Sequence, residues 1–146
     1  MQKRRARFTS TLTLNSIDPG ETSMLDHAGF AVSDYDASKA FYERALAPLG
    51  ITLLMEPSGK AAGFGRDARP FFWIEAQGEP VRGRLHIAFR AEDRDSVNRF
   101  YAAALQAGAT DNGAPGMREI YHPHYYGAYV LDPDGNNIEA VCHQPA

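Results

Sequence analysis

Apolar and polar positions alternate over residues 25–32, with Phe30 and Val32 on one side, and this period of two predicts a half-buried strand. Ser33, Asp34, Tyr35 and Asp36 follow as a loop and helix cap. The period then changes. Ala37, Ala40, Phe41, Ala45 and Leu46 recur at helical spacing, predicting a helix over 37–46 that Pro48 and Gly50 bring to an end. Strands are predicted over 51–56, around 59–65 and over 71–76, with turns at 57–59 and 66–70. The pattern then restarts with a strand around 85–89, a helix over 94–107, a loop at 112–116 and further strands. The last hairpin turns at Asp132, Pro133, Asp134 and Gly135, where Pro presets one dihedral and Gly accepts a positive φ. Each half reads β-α-β-β-β.

The restart is a duplication. Sliding the chain by 59 positions lays His27 on His86, Phe30 on Phe89, Asp34 on Asp93, Asp36 on Asp95 and Phe41-Tyr42 on Phe100-Tyr101. A slide of 64 lays Gly63 on Gly127 and Ile74-Glu75-Ala76 on Ile138-Glu139-Ala140. The five extra residues fall in loops, where insertions are tolerated best. Two copies of this length point to paired half-domains that bury a shared face. The expected fold class is α+β: two paired β-α-β-β-β modules forming a cupped, mostly antiparallel sheet with helices on the outer face. The expected organisation is one domain over 24–146, with module one at about 24–80 and module two at about 84–142.

Composition narrows the partners. A formal net charge of −3 with both signs mixed along the chain leaves no polybasic footprint for nucleic acid or an anionic membrane. A small-molecule substrate is the expected partner. The single cysteine, Cys142, excludes an intramolecular disulfide framework and suits a cytoplasmic setting. Its parity places it on the helix side as a small apolar residue, not a nucleophile. No apolar run approaches the roughly 18 residues of a membrane helix. Residues 1–23 are basic at the start and rich in Ser and Thr, without the apolar stretch of a secretory signal. They are expected to form an extension outside the fold, with a transit peptide as the second reading and Met24 as an alternative start.

Side-chain parity assembles a candidate site. Successive strand residues point to opposite faces, so His27 shares a face with Gly29 while Ala28, Phe30 and Val32 turn toward the helix. By the same rule His86 sits with Ala88, and Glu75 and Glu139 alternate against their Ile and Ala neighbours. All four are expected to converge on a concave face. Imidazole and carboxylate donors suit a divalent ion such as nickel, zinc, cobalt, manganese or ferrous iron, with positions left open for substrate or water. A second cluster, Arg118, Tyr121, His122, His124, Tyr125 and Tyr126, precedes a strand of module two. It is expected at the rim of the cup. Arg118 would meet an anionic group there, while Tyr121, His122 and Tyr126 would meet an organic substrate. Trp73 shares parity with Glu75 and is placed at the pocket wall. The run Gly63 to Ala68 superficially matches G-x-G-x-x-G/A, but Arg69-Pro70 denies it the following helix that a nucleotide fingerprint requires.

With these motifs the chain resembles the vicinal oxygen chelate superfamily of glyoxalases, bleomycin resistance proteins and extradiol dioxygenases. The resemblance spans about residues 24–142 and rests on Asp26-His27-Ala28-Gly29-Phe30, Ala40-Phe41-Tyr42, His86-Ile87-Ala88-Phe89 and the stretch from Asp132 to Glu139. It implies a homodimer and metal ligands at the first and last strands of each module, which carries over to His27, Glu75, His86 and Glu139. It also implies Lewis-acid chemistry on a substrate with two adjacent oxygens, with Glu139 or Glu75 moving a proton in a glyoxalase-type isomerisation, lyase or epimerase reaction. Two alternatives stay open at this point. His27, His86 and Glu139 alone would make a ferrous-iron triad for dioxygenase chemistry. A metal-free member would instead sequester a small molecule.

Overall fold

A computed structural model describes residues 24–146; the N-terminal segment read above as an extension lies outside the described residues. Module one contains β1 (Ala28–Ala31), α1 (Tyr35–Leu46), a 3-10 turn (Ala47–Leu49), β2 (Thr52–Met55), β3 (Ala61–Arg66) and β4 (Arg69–Glu75). Module two repeats it with β5 (His86–Arg90), α2 (Arg94–Gln106), β6 (Thr110–Met117), β7 (Tyr126–Leu131) and β8 (Asn137–Cys142). The fold is α+β, as the two periodicities predict.

Each module closes one four-stranded sheet, in the orders β1-β4-β3-β2 and β5-β8-β7-β6. The first strand of each runs parallel to the last, and the other pairs are antiparallel. A parallel pair needs a long crossover, and the helix with its two following strands supplies it. The duplicated aspartates start both helices. Asp34 accepts from the Ala37 amide at 3.0 Å and Asp93 from the Ser96 amide at 2.7 Å, satisfying donors that have no partner inside the helix. At the other end of α1, Gly50 closes the 3-10 turn at φ 72°, a conformation that a side chain disfavours.

The helix-facing sides of both sheets share one core. Phe30, Phe64, Phe72 and Ile74 from module one join Phe89, Val130, Ile138 and Ala140 from module two, with Phe41, Tyr42, Val97 and Phe100 from the helices. Phe72 and Phe89 meet edge to face across the modules, with ring centroids 5.1 Å apart. The Asp132–Gly135 turn docks on module one by polar contacts. Tyr42 donates its buried phenol to Asp132, Ser33 donates its hydroxyl to Asp134, and Asn136 donates to the Val81 carbonyl at 2.8 Å. Cys142 is buried on the helix side, as its parity requires.

Two local expectations need correction. Residues 112–116 are not a loop but part of β6, which survives its Gly and Pro content through register shifts between Asp111 and Gly113 and between Gly113 and Gly116. Bulges admit such residues because the extra residue leaves the ladder unpaired. The turn at 66–70 is also shorter than expected. Asp67 and Ala68, at φ 50° and 60°, make the whole turn, so Arg69 and Pro70 already belong to β4. That hairpin is why the Gly63 to Ala68 run has a strand, not a helix, after it.

Candidate functional site

On module two, β8 and β5 bring His86 and Glu139 together. His86 Nε2 lies 2.9 Å from Glu139 Oε2, and Tyr125 donates its phenol to Glu139 Oε1. The carboxylate side chain is 2% exposed and the imidazole 51%, so one partner is fixed inside the sheet face and the other meets solvent. Gly127 makes this packing fit: a Cβ there would stand 3.2 Å from both Glu139 Oε1 and the Tyr125 ring. Burial first, and the Glu139 carboxylate second, push the Tyr125 and Tyr129 phenols above their ordinary range, which keeps them protonated as donors. His86 is also held from behind. Asn137, two residues from Glu139 and on the same face, donates Nδ2 to His86 Nδ1 at 2.7 Å.

On module one, His27 and Glu75 line a cavity of about 610 Å³ together with Asp26, Gly29, Arg69, Phe71 and Trp73. His27 Nδ1 lies 2.7 Å from the Asp26 carboxylate, so the ring donates its Nδ1 proton there, and in the neutral ring Nε2 carries the lone pair. Trp73 lies flat across Gly63, where a Cβ would come within 2.7 Å of the indole. Gly63 and Gly127 are thus repeat partners with one job: each removes a side chain so that a neighbour can lie on the open face.

No residue of module two lines that cavity. Among the described residues no group of three or more His, Cys, Asp or Glu side chains comes together as a metal cage. Within one chain the His27–Glu75 pair and the His86–Glu139 pair therefore stand apart. Whether one chain or two would bring His27, Glu75, His86 and Glu139 together is left open by parity, which assigns each side chain only its face; in this chain the shared core lies on the helix side of both sheets, and the His27–Glu75 cavity is lined by module one alone.

The second polar cluster divides. Tyr125 reaches Glu139, and Tyr121 packs tilted against Tyr125 with centroids 5.2 Å apart while remaining 67% exposed. Arg118 donates to the Ala114 carbonyl at 2.8 Å and the Met117 carbonyl at 3.2 Å, with its guanidinium 5.5 Å from the centroid of the Tyr129 ring. It shapes the rim. His122 accepts from the His124 amide at 3.1 Å and packs against His143. Tyr126 lies on the helix side: its phenol donates to Asn98 of α2 at 2.7 Å, and Arg94 sits over its ring. Sequence reasoning missed Asp26, Asn137 and Tyr129. Asn137 was within its reach, since it shares the parity of Glu139.

The family model described as Glyoxalase/Bleomycin resistance protein/Dioxygenase superfamily matches residues 24–140. The chain belongs to this superfamily. Among solved structures, it is 31% identical to a glyoxalase/bleomycin resistance protein from Albidiferax ferrireducens T118, covering 84% of this chain and 100% of that one at a TM-score of 0.70. A glyoxalase/bleomycin resistance protein/dioxygenase family enzyme from Burkholderia phytofirmans PsJN is 20% identical, with coverage of 84% and 100% and a TM-score of 0.62. A lactoylglutathione lyase from Agrobacterium tumefaciens is 18% identical, with coverage of 84% and 95% and a TM-score of 0.61. These last two likenesses show the fold. Comparison with curated proteins gives no match. Among the described residues no helix is long and apolar enough to cross a membrane.

Proposed function

We propose that this superfamily member is a metal-dependent enzyme of the glyoxalase-like isomerase, lyase or epimerase type, acting on a small substrate with vicinal oxygens. We further propose that it works as a homodimer in which His27 and Glu75 of one subunit face His86 and Glu139 of the other. The observation that carries both readings is the pair of incomplete half-sites, each on an open sheet face, with donor sets that complement each other. β1, which directly follows His27, and β5, which begins with His86, are both sheet edges. A two-fold interface between them would build two identical sites, because an isologous contact repeats itself. A cytoplasmic setting is in keeping with the lone buried Cys142.

The donor set fits a divalent ion. Two ligands held about 2.1 Å from one ion at a right angle stand about 3.0 Å apart, and His86 Nε2 and Glu139 Oε2 stand 2.9 Å apart. When bound, such an ion supplies Lewis acidity to the substrate oxygens. Asp26 orients His27 with Nε2 outward, and the Tyr125 phenol holds one oxygen of Glu139 so that the other faces the site. Glu75 is the carboxylate with freedom to move a proton, since it lines the cavity at an exposed position. Trp73 and Phe71 supply apolar wall for the organic part of the substrate.

Metal analysis of protein purified without chelator, followed by titration with nickel, zinc, manganese and ferrous iron, tests this reading. About one ion per chain is expected. His86→Ala should abolish tight uptake while leaving the fold intact. A wild-type protein with no affinity for any of the four ions contradicts the proposal.

A further inference from the structure

The two histidines are held in opposite ways. His27 gives its Nδ1 proton to a carboxylate, which leaves Nε2 free. The slide that lays His86 on His27 lays Leu85 on Asp26, so module two lacks that carboxylate. In its place stands an amide chain. Asn112 Nδ2 donates to Asn137 Oδ1 at 3.1 Å, and Asn137 Nδ2 donates to His86 Nδ1 at 2.7 Å. An amide nitrogen can only donate, so Nδ1 must be the acceptor and the neutral ring carries its proton on Nε2, pointed at Glu139 Oε2. That proton occupies the lone pair a metal would need.

We infer that Asn112 and Asn137 form a two-state relay that sets which ring nitrogen of His86 bears the proton, and thereby whether module two's half-site accepts a metal ion. The inference rests on the metal reading above. In the observed state each amide donates toward the imidazole. Turning both amides over reverses both amide hydrogen bonds: His86 Nδ1–H then donates to Asn137 Oδ1, Asn137 Nδ2 donates to Asn112 Oδ1, and Nε2 is bare. The Nε2 proton leaves to water and Nδ1 takes one up from water, so the ring stays neutral; the two amide bonds are kept and the one from Nε2 to Glu139 is given up. The bulge in β6 makes this possible, because Asn112 is the extra residue that the register shift frees from the ladder. Module one is thus preset for a ligand, and module two is held in a resting state that ligand binding must switch. Asn112 and Asn137 are positioning residues, since they act through His86.

Nitrogen-15 spectroscopy of histidine-labelled, metal-free protein under conditions where the ring is neutral reads the tautomer directly, and zinc titration against a chromophoric chelator reads affinity. Wild-type His86 is expected as the Nε2–H tautomer and His27 as Nδ1–H. In Asn137→Asp the new carboxylate accepts from Nδ1–H, so the tautomer switches and zinc affinity rises about tenfold or more, the range of outer-sphere effects on metal sites. Asn112→Leu supplies a charge-free arm. It releases Asn137 Oδ1, so the spectrum shows a mixture of tautomers and zinc binding strengthens by a smaller factor. A wild-type ring protonated on Nδ1, or an Asn137→Asp ring that stays protonated on Nε2, overturns the relay whatever the metal does. A tautomer that switches as expected in protein that never binds zinc or nickel overturns the metal reading instead.

Discussion

Glu139 shows how much a single buried carboxylate can organise. It is almost wholly enclosed, yet each oxygen has a named partner, His86 on one side and Tyr125 on the other. Tyr125→Phe takes a donor from this buried carboxylate, so zinc affinity should fall about tenfold and stability by about 1–3 kcal/mol, as chelator competition and calorimetry will report. The phenols carry a second prediction. Tyr35 is pushed up to about 12 by burial and by Glu56, and Tyr42, Tyr101, Tyr125 and Tyr129 are raised as well. An acid whose folded value is raised favours the fold below the unfolded value near 10 and loses that contribution as pH climbs through the folded one. Absorbance titration should therefore show most of the seven tyrosines ionising late, together with alkaline unfolding. His86 and Glu139 were legible in the sequence because repeat register and strand parity both mark them. Tyr126 was misplaced, because a strand's parity is readable only once its register with a neighbour is known, and Tyr126 turns out to pair with Cys142 on the helix side.

The strands owe their positions to features of quite different visibility. The helices, their aspartate caps and most strands follow from period and cap chemistry, since local spacing alone decides which side buries. β6 was hidden, because its Gly and Pro residues read as loop until the bulges that accommodate them are seen. The β3-β4 hairpin makes two predictions at this scale. Gly65→Ala would place a Cβ 1.9 Å from the Arg69 carbonyl oxygen, a backbone clash that no rotamer relieves, so the hairpin should lose about 3 kcal/mol or more in denaturant unfolding. Ala68→Gly should act the other way. Ala68 holds φ at 60°, and removing its Cβ should stabilise the protein by about 1 kcal/mol.

The whole molecule depends on how the modules meet, and here the sequence was silent. Duplication and periodicity assign faces within each module, but the contacts between modules are long-range, among them Tyr42 with Asp132, Ser33 with Asp134 and Phe72 with Phe89. Tyr42→Phe should lower stability by about 1–3 kcal/mol, because it strands a buried carboxyl without its donor. The same docking leaves His27 with Glu75 and His86 with Glu139 on separate open faces, which is the ground for the proposed two-subunit site. Complementation tests that claim most directly. Subunits carrying His27→Ala and His86→Ala are refolded together and titrated with zinc. Each variant alone should bind no tight zinc, whereas the mixture should recover about one quarter of wild-type sites, since half the dimers are mixed and each has one intact site. A mixture that binds no more zinc than either variant alone would contradict a site built from two subunits.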